Sequence, residues 1–168
     1  MKTAIEIERK YVILMPDENE LSSSAEYTRS NITQTYLASE RGVTHRVRAR
    51  ETGGVITYTE NIKRRIDEIS SYETEGEISE QHYDRLRQNI AKGTSPLSKV
   101  RHTFVYSGQL FEVDVYPEWK STAILETELE SRDTEVKFPE FIRVLRDVSG
   151  MREYSNRAMS ERFPPELV

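Results

Sequence analysis

Ile5-Glu6-Ile7-Glu8-Arg9-Lys10-Tyr11, near the N-terminus, alternates apolar and ionisable residues with a period of two. Successive side chains of a β-strand point to opposite faces, so residues two apart share a face at a spacing of about 6.6 Å. Glu6, Glu8 and Lys10 therefore form one face, and Ile5, Ile7 and Tyr11 the other. The same period recurs along the chain. Arg46, Arg48 and Arg50 oppose Val47 and Ala49. Lys63 shares its face with Thr57, Thr59 and Asn61, against Ile56, Tyr58 and Ile62. Glu73 and Glu75 oppose Tyr72 and Thr74; Lys99 and Arg101 oppose Val100 and Phe104. Glu112 and Asp114 oppose Phe111 and Val113, and Glu126 and Glu128 oppose Leu125 and Leu129. The pattern predicts strands over 3–13, 32–39, 43–51, 55–63, 70–78, 98–107, 109–116 and 122–131. Gly53-Gly54 and Ser107-Gly108 suit the positive φ of tight hairpins, which makes their flanking strands antiparallel neighbours.

Two helices are predicted between strands. Ser79 caps one whose apolar face is Tyr83, Leu86 and Ile90, with Gly93 as its stop. The other runs from about Pro139 to Gly150, with Phe138, Phe141, Ile142, Leu145 and Val148 spaced three or four apart. Pro16 to Thr28 reads as a polar connection. Without repeats or a long linker, the 168 residues read as one domain, 1–168.

The chain carries 24 Lys and Arg against 29 Asp and Glu, a net charge of -5, which argues against broad binding to nucleic acid or an anionic membrane. It has no apolar run of membrane-spanning length and no signal-peptide pattern, so a cytoplasmic location is expected. Zero cysteines exclude disulfides, thiolate metal sites and cysteine nucleophiles. Acid–base or metal chemistry must use carboxylates, lysines or histidines. His45, His82 and His102 lie off the ionic stripes without metal-ligand spacing, so surface or packing roles are expected.

Two architectures fit the stripes. In a sandwich or helix-covered sheet the ionic faces meet water; in a closed barrel of about eight strands they face inward. Each stripe is mostly of one sign, which is unfavourable unless opposite charge lies across from it or is bound. Acidic pairs and basic groups together are what a polyanion with divalent cations requires.

Glu6-Ile7-Glu8-Arg9-Lys10 resembles the ExExK signature of the CYTH superfamily, the triphosphate tunnel metalloenzymes, and further family landmarks follow in order. Gln34-Thr35-Tyr36-Leu37 is similar to the family's QxYL, Arg46-Val47-Arg48 to its RxR, and Lys63 to the lysine ending the next strand. Glu73-Thr74-Glu75 resembles the middle ExE, Lys99-Val100-Arg101 the KxR, and Phe111-Glu112-Val113-Asp114 the acidic strand. Glu126-Thr127-Glu128 resembles the last ExE, and Tyr154-Ser155-Asn156 the C-terminal YSN. Asn61 and Ser71 depart from the pattern, standing where many members have threonine and arginine.

The resemblance implies an α+β fold: an eight-stranded antiparallel β-barrel, a tunnel open at both ends with flanking helices, that binds a small-molecule triphosphate with Mg²⁺ or Mn²⁺. Lys10, Arg46, Arg48, Lys63, Lys99 and Arg101 are then the candidate phosphate-binding residues. Glu6, Glu8, Asp114, Glu126 and Glu128 are the candidate metal ligands, with Glu112 next. Glu73 and Glu75 either orient a water or second metal or neutralise the basic wall; Glu6, Glu8, Lys10, Glu73 and Glu75 make the candidate catalytic set. The expected reaction is attack of metal-activated water on the terminal phosphorus, a triphosphatase activity with inorganic tripolyphosphate first among substrates. The alternatives are a class IV adenylyl cyclase, which makes cyclic AMP from ATP, and a non-catalytic polyphosphate or nucleotide binding protein.

Overall fold

The structure, a computed structural model, describes residues 1–168. Nine strands form one antiparallel sheet: β1 (Lys2–Leu14), β2 (Ala25–Leu37), β3 (Val43–Thr52), β4 (Val55–Arg65), β5 (Ser70–Ile78), β6 (Leu97–Tyr106), β7 (Gln109–Val115), β8 (Thr122–Glu128) and β9 (Val144–Asp147). Their order is β5-β4-β3-β2-β6-β7-β8-β1-β9, and a further β5–β1 pairing closes the first eight into a barrel. β1 is the closing strand. Lys2 to Ile7 pair with β5, Glu8 to Leu14 with β8. Both glycine-bearing hairpins take the expected geometry, with positive φ at Gly53, Gly54, Ser107 and Gly108.

Closure turns one row of every strand inward, and the ionic rows are the inner ones. Val47, Phe104, Phe111, Val113 and Leu125 lie on the outer rows and are fully buried under the flanking segments. Helix α1 (Glu18–Ser22) brings Leu21, and the segment around Phe138, Phe141 and Ile142 packs beside it against β1, β6, β7 and β8. Helix α2 (Glu80–Leu86), capped by Ser79 as expected, lays Tyr83 over Leu37 and Val47. Only part of the barrel is covered: Ile5, Ile56, Ile62 and Tyr72 remain exposed on the outer rows of β1, β4 and β5.

Three expectations are corrected. The helix proposed over 139–150 does not form; Pro139 to Ile142 turn and Val144–Asp147 become β9. Beyond β5 the edge of β1 has free backbone groups, and Leu14 N–H to Arg143 O and Val148 N–H to Lys10 O satisfy them. The apolar residues of that segment are still buried at Ile142 and Val148, so the spacing reported burial without a helix. In the polar stretch 16–28, α1 and the start of β2 replace the expected connection. Lastly, the lumen is not polar throughout. Val12, Leu97, Tyr116 and Ile124 share the inner rows, and Trp119, Tyr154 and Met159 pack on them as an apolar plug at the end reached by the C-terminal segment with helix α3 (Asn156–Met159). Trp119 belongs to this plug and its indole N–H donates to Pro164 O at 3.0 Å.

Phe111→Ala should cost about 3–5 kcal/mol, whereas Ile5→Ser on the bare outer row should stay within about 0.5 kcal/mol. Denaturant midpoints of the two variants check where the core lies.

Candidate functional site

A cavity of about 270 Å³ inside the barrel is lined by Glu6, Glu8 and Lys10 of β1, Tyr36 of β2, Arg46, Arg48 and Arg50 of β3, Asn61 and Lys63 of β4, Glu73 and Glu75 of β5, Arg101, Glu112, Glu126 and Glu128 of β6 to β8, and Thr44, Ser155, Asn156 and Arg157. Lys99 and Asp114 lie in its wall with fully buried side chains. Asn61 was legible by parity, sharing a face with Lys63, and Tyr36 through the QxYL resemblance. Asn156 and Arg157 follow the last barrel strand and no periodicity marks them. A wider vestibule of about 680 Å³ adjoins this cavity, sharing Glu6, Glu8, Lys10, Thr44, Lys63, Ser155 and Arg157 with it.

Asp114 organises one wall. Directly across the β6–β7 ladder from Arg101, it accepts from Arg101 Nε and Nη2 at 2.7 and 2.8 Å and from Lys99 Nζ at 2.7 Å. Burial opposes its charge, but Arg101 and Lys99 outweigh burial and hold the carboxyl well below the usual range. Both of its oxygens accept short hydrogen bonds from cations, whereas the cations nearest Glu126 stand off at 3.3 and 3.7 Å. Arg101 Nη1 also donates to Glu112 at 2.7 Å.

The facing cations are under-compensated. Arg48, 8% exposed, has only the neutral Gln34 Oε1 as acceptor, at 3.1 and 3.3 Å, and Gln34 in turn donates to Tyr36 Oη. Arg46 reaches Glu75 at 3.5 Å, while its Nε is buried without a partner. Burial, then repulsion from Arg46 and Arg101, pulls the Arg48 guanidinium below its ordinary value. Asn61 donates to both Glu73 and Glu75, so this departure from the family pattern clamps the middle carboxylates beside the basic wall.

Carboxylates crowd the β1–β8 seam. Glu8 stands opposite Glu128, where like charges repel, and Lys10 stands opposite Glu126. Glu6 accepts from Lys63 at 2.9 Å. Lys10 lies 3.3 Å from Glu126 Oε1 but donates to Tyr154 O, leaving that carboxylate oxygen buried without a hydrogen bond. Burial, then Glu126, pushes Glu8 up to about 8; burial, then Glu6 and Glu112, pushes Glu128 up to about 7. Burial opposes the Glu126 charge, but Lys10 at 3.3 Å and Arg101 at 3.7 Å outweigh it and hold the carboxyl down to about 2. Glu8 and Glu128 have no ion-pair partner, and hard oxygen donors of this kind suit a divalent cation of the Mg²⁺ or Mn²⁺ type. Glu6, Glu8, Glu126 and Glu128 would hold it.

The histidines lie outside the cavity. His45 meets Glu60 at 2.6 Å beside His82, and His102 pairs with Tyr27 at 2.8 Å.

A raised carboxyl pKa means that folding is increasingly opposed as pH rises from the unfolded value through the folded one. Glu8→Gln should therefore stabilise the metal-free protein by about 1–3 kcal/mol at pH 8 and by less at pH 5, where Glu8 is already protonated in the fold. Thermal melts in chelator at the two pH values check the sign.

A family model described as CYTH domain matches residues 4–157. Among solved structures, the inorganic triphosphatase NE1496 is 24% identical with a TM-score of 0.56, the match covering 95% of this chain and 97% of that one. PH1819 protein from Pyrococcus horikoshii OT3 is 19% identical, with a TM-score of 0.54 and coverage of 76% and 80%. HpAC1 from Hippeastrum, whose structure is described as revealing a dominant triphosphatase activity, is 14% identical, with a TM-score of 0.51 and coverage of 74% and 80%. These likenesses carry the fold. No curated protein matches the sequence, and no helix is long and apolar enough to cross a membrane. The family match spans most of the chain: it belongs to the CYTH family.

Proposed function

We propose, on the premise of that membership, that this CYTH protein hydrolyses a triphosphate inside its barrel with the help of Mg²⁺ or Mn²⁺, inorganic tripolyphosphate being the foremost substrate. The observation that carries the reading is the pair of unmet demands facing one cavity. Arg48 lacks any carboxylate partner and Arg46 Nε any acceptor, while Glu8 and Glu128 are pushed up by burial and neighbouring carboxylates and Glu126 Oε1 has no hydrogen bond. A triphosphate answers the first and a divalent cation the second.

Arg46, Arg48, Arg101 and Lys63 bind the phosphate oxygens, Arg by forked hydrogen bonds and Lys as a point charge. Asp114, itself held by Lys99, fixes Arg101 from behind. Lys10, fixed between Glu126 and Tyr154 O, adds a cation where β1 meets β8. Glu73 and Glu75, clamped by Asn61, neutralise the basic wall. When bound by Glu6, Glu8, Glu126 and Glu128, the cation supplies charge neutralisation and a lowered pKa for water. Water adds to the terminal phosphorus, the bridging P–O bond breaks, and pyrophosphate leaves tripolyphosphate. The protein contributes fixed, desolvated charges rather than covalent chemistry.

A second reading is favoured by the vestibule, whose volume of about 680 Å³ accommodates a nucleoside. In it the 3′-hydroxyl of ATP attacks the α-phosphorus, as in class IV adenylyl cyclases. The vestibule offers Val43, Ile69, Val148 and Met151 but no aromatic ring to stack a base, which keeps the inorganic substrate first.

Incubation with tripolyphosphate or ATP plus Mg²⁺ or Mn²⁺, with separation of phosphate, pyrophosphate and cyclic AMP, tests both. Pyrophosphate and phosphate from tripolyphosphate support the hydrolase; cyclic AMP moves the assignment to the cyclase; tight binding without turnover reduces it to a binding protein. Arg48→Ala should raise KM by about 10–100-fold, the loss of a charged hydrogen-bonding group, with a smaller effect on kcat. Glu128→Gln should abolish metal-dependent turnover and leave the circular dichroism spectrum unchanged.

A further inference from the structure

Asn156 belongs to no barrel strand, yet it lines the inner cavity. Its backbone is fixed at the start of α3 by Ser155, whose Oγ accepts from Ala158 N–H at 3.1 Å. Tyr116, 1% exposed within the apolar plug, donates its hydroxyl to Asn156 Oδ1 at 2.6 Å. That bond decides which way the amide faces. A buried phenol must place its hydrogen on an acceptor, and Asn156 Oδ1 is the acceptor it has. With Oδ1 occupied, Nδ2 has no partner within the protein and is the end presented to the cavity, close in sequence to the Tyr154 carbonyl that holds Lys10.

We propose that Asn156 is a substrate-binding residue, its Nδ2 donating to a phosphate oxygen, and that Tyr116 is the positioning residue that keeps the donor end of the amide turned inward. The inference rests on the triphosphate reading above and extends it to a residue outside the charged rows. A neutral donor adds a hydrogen bond to the anion without adding to the repulsion among Arg46, Arg48 and Arg101.

Steady-state kinetics on tripolyphosphate with Mn²⁺ test it. Asn156→Ala should raise KM about tenfold, the effect of one hydrogen bond to a charged group, with kcat within about twofold. Asn156→Asp keeps the acceptor for Tyr116 while replacing the donor with an anion, so it should melt near the wild-type temperature and raise KM further. Tyr116→Phe frees the amide to rotate and should raise KM about threefold; added to Asn156→Ala it should raise KM no further, because its effect passes through Asn156. A KM within twofold of wild type in Asn156→Ala or Asn156→Asp, or multiplying KM effects in the double variant, overturns the inference alone. Wild-type protein that neither binds nor turns over tripolyphosphate overturns the triphosphate reading and this inference together.

Discussion

Barrel closure at β1 is the constraint from which the rest follows. Eight strands of alternating character can satisfy their backbones in many sheets. Only when Lys2 to Ile7 zip to β5 while Glu8 to Leu14 zip to β8 do the ionic rows enclose a shared space. Desolvated charges then interact through a medium far less screening than water, and each must find a counter-charge, a hydrogen bond or a ligand. The β6–β7 wall meets that demand internally through Asp114. The β1–β8 seam and the β2–β3 wall do not, and their deficits have opposite signs. Charges left wanting on both sides of one cavity are unfavourable for folding, which is the arrangement expected where binding rather than stability has shaped the residues.

Stability is supplied elsewhere. With the lumen given over to charge, the apolar core moves outside, under α1, α2 and the 136–142 segment, and to one end of the lumen as the plug. The plug also links the two functions of the C-terminal segment. Tyr154 and Met159 bury apolar surface in it, while the Tyr154 carbonyl and the Asn156 amide, on the same short stretch, reach the charged cavity. Glu166 ties the tail down by accepting from Ser121 N–H, Thr122 N–H and Thr122 Oγ at 2.7–3.0 Å, so the wall of the site contributed by this segment is anchored at both ends.

Much of this was legible in the residues because a period of two is a rigid geometric statement. Once Glu8 is placed on a face, Lys10 and Glu6 follow, and closure decides only whether that face looks in or out. What was not legible lies where periodicity is ambiguous or absent. Phe141, Ile142, Leu145 and Val148 have helical spacing, but a strand with a vacant edge lay within reach, and pairing with β1 met the backbone demand of residues 144–147 at once. Tyr116 and Ile124 continue the inner rows of Asp114 and Glu126 with apolar side chains, so the ends of the same stripes seal the lumen that their middles charge. The irregular start of β2, where Glu26 takes positive φ and the register with β6 slips, hides its first residues from any alternating pattern. Asn156 was marked only by the YSN resemblance and by no periodicity, since its position is set by packing of Tyr154 and Met159 rather than by hydrogen-bonded register.

The separation of charge inside the barrel also argues about the order of binding. A triphosphate entering alone meets Arg46, Arg48 and Arg101 but also the Glu6, Glu8, Glu126 and Glu128 cluster a strand or two away; a cation entering alone meets that cluster with Lys10 and Lys63 beside it. On the proposed function each ligand would relieve the repulsion felt by the other, so the two would bind with positive coupling, and by linkage each would raise the affinity of the other by the same factor. Under the proposed function, a cation and an anion held by opposite walls would supply the pairing that the polypeptide by itself does not achieve, and the same electrostatic deficit that weakens the empty fold would favour a metal-bound polyanion.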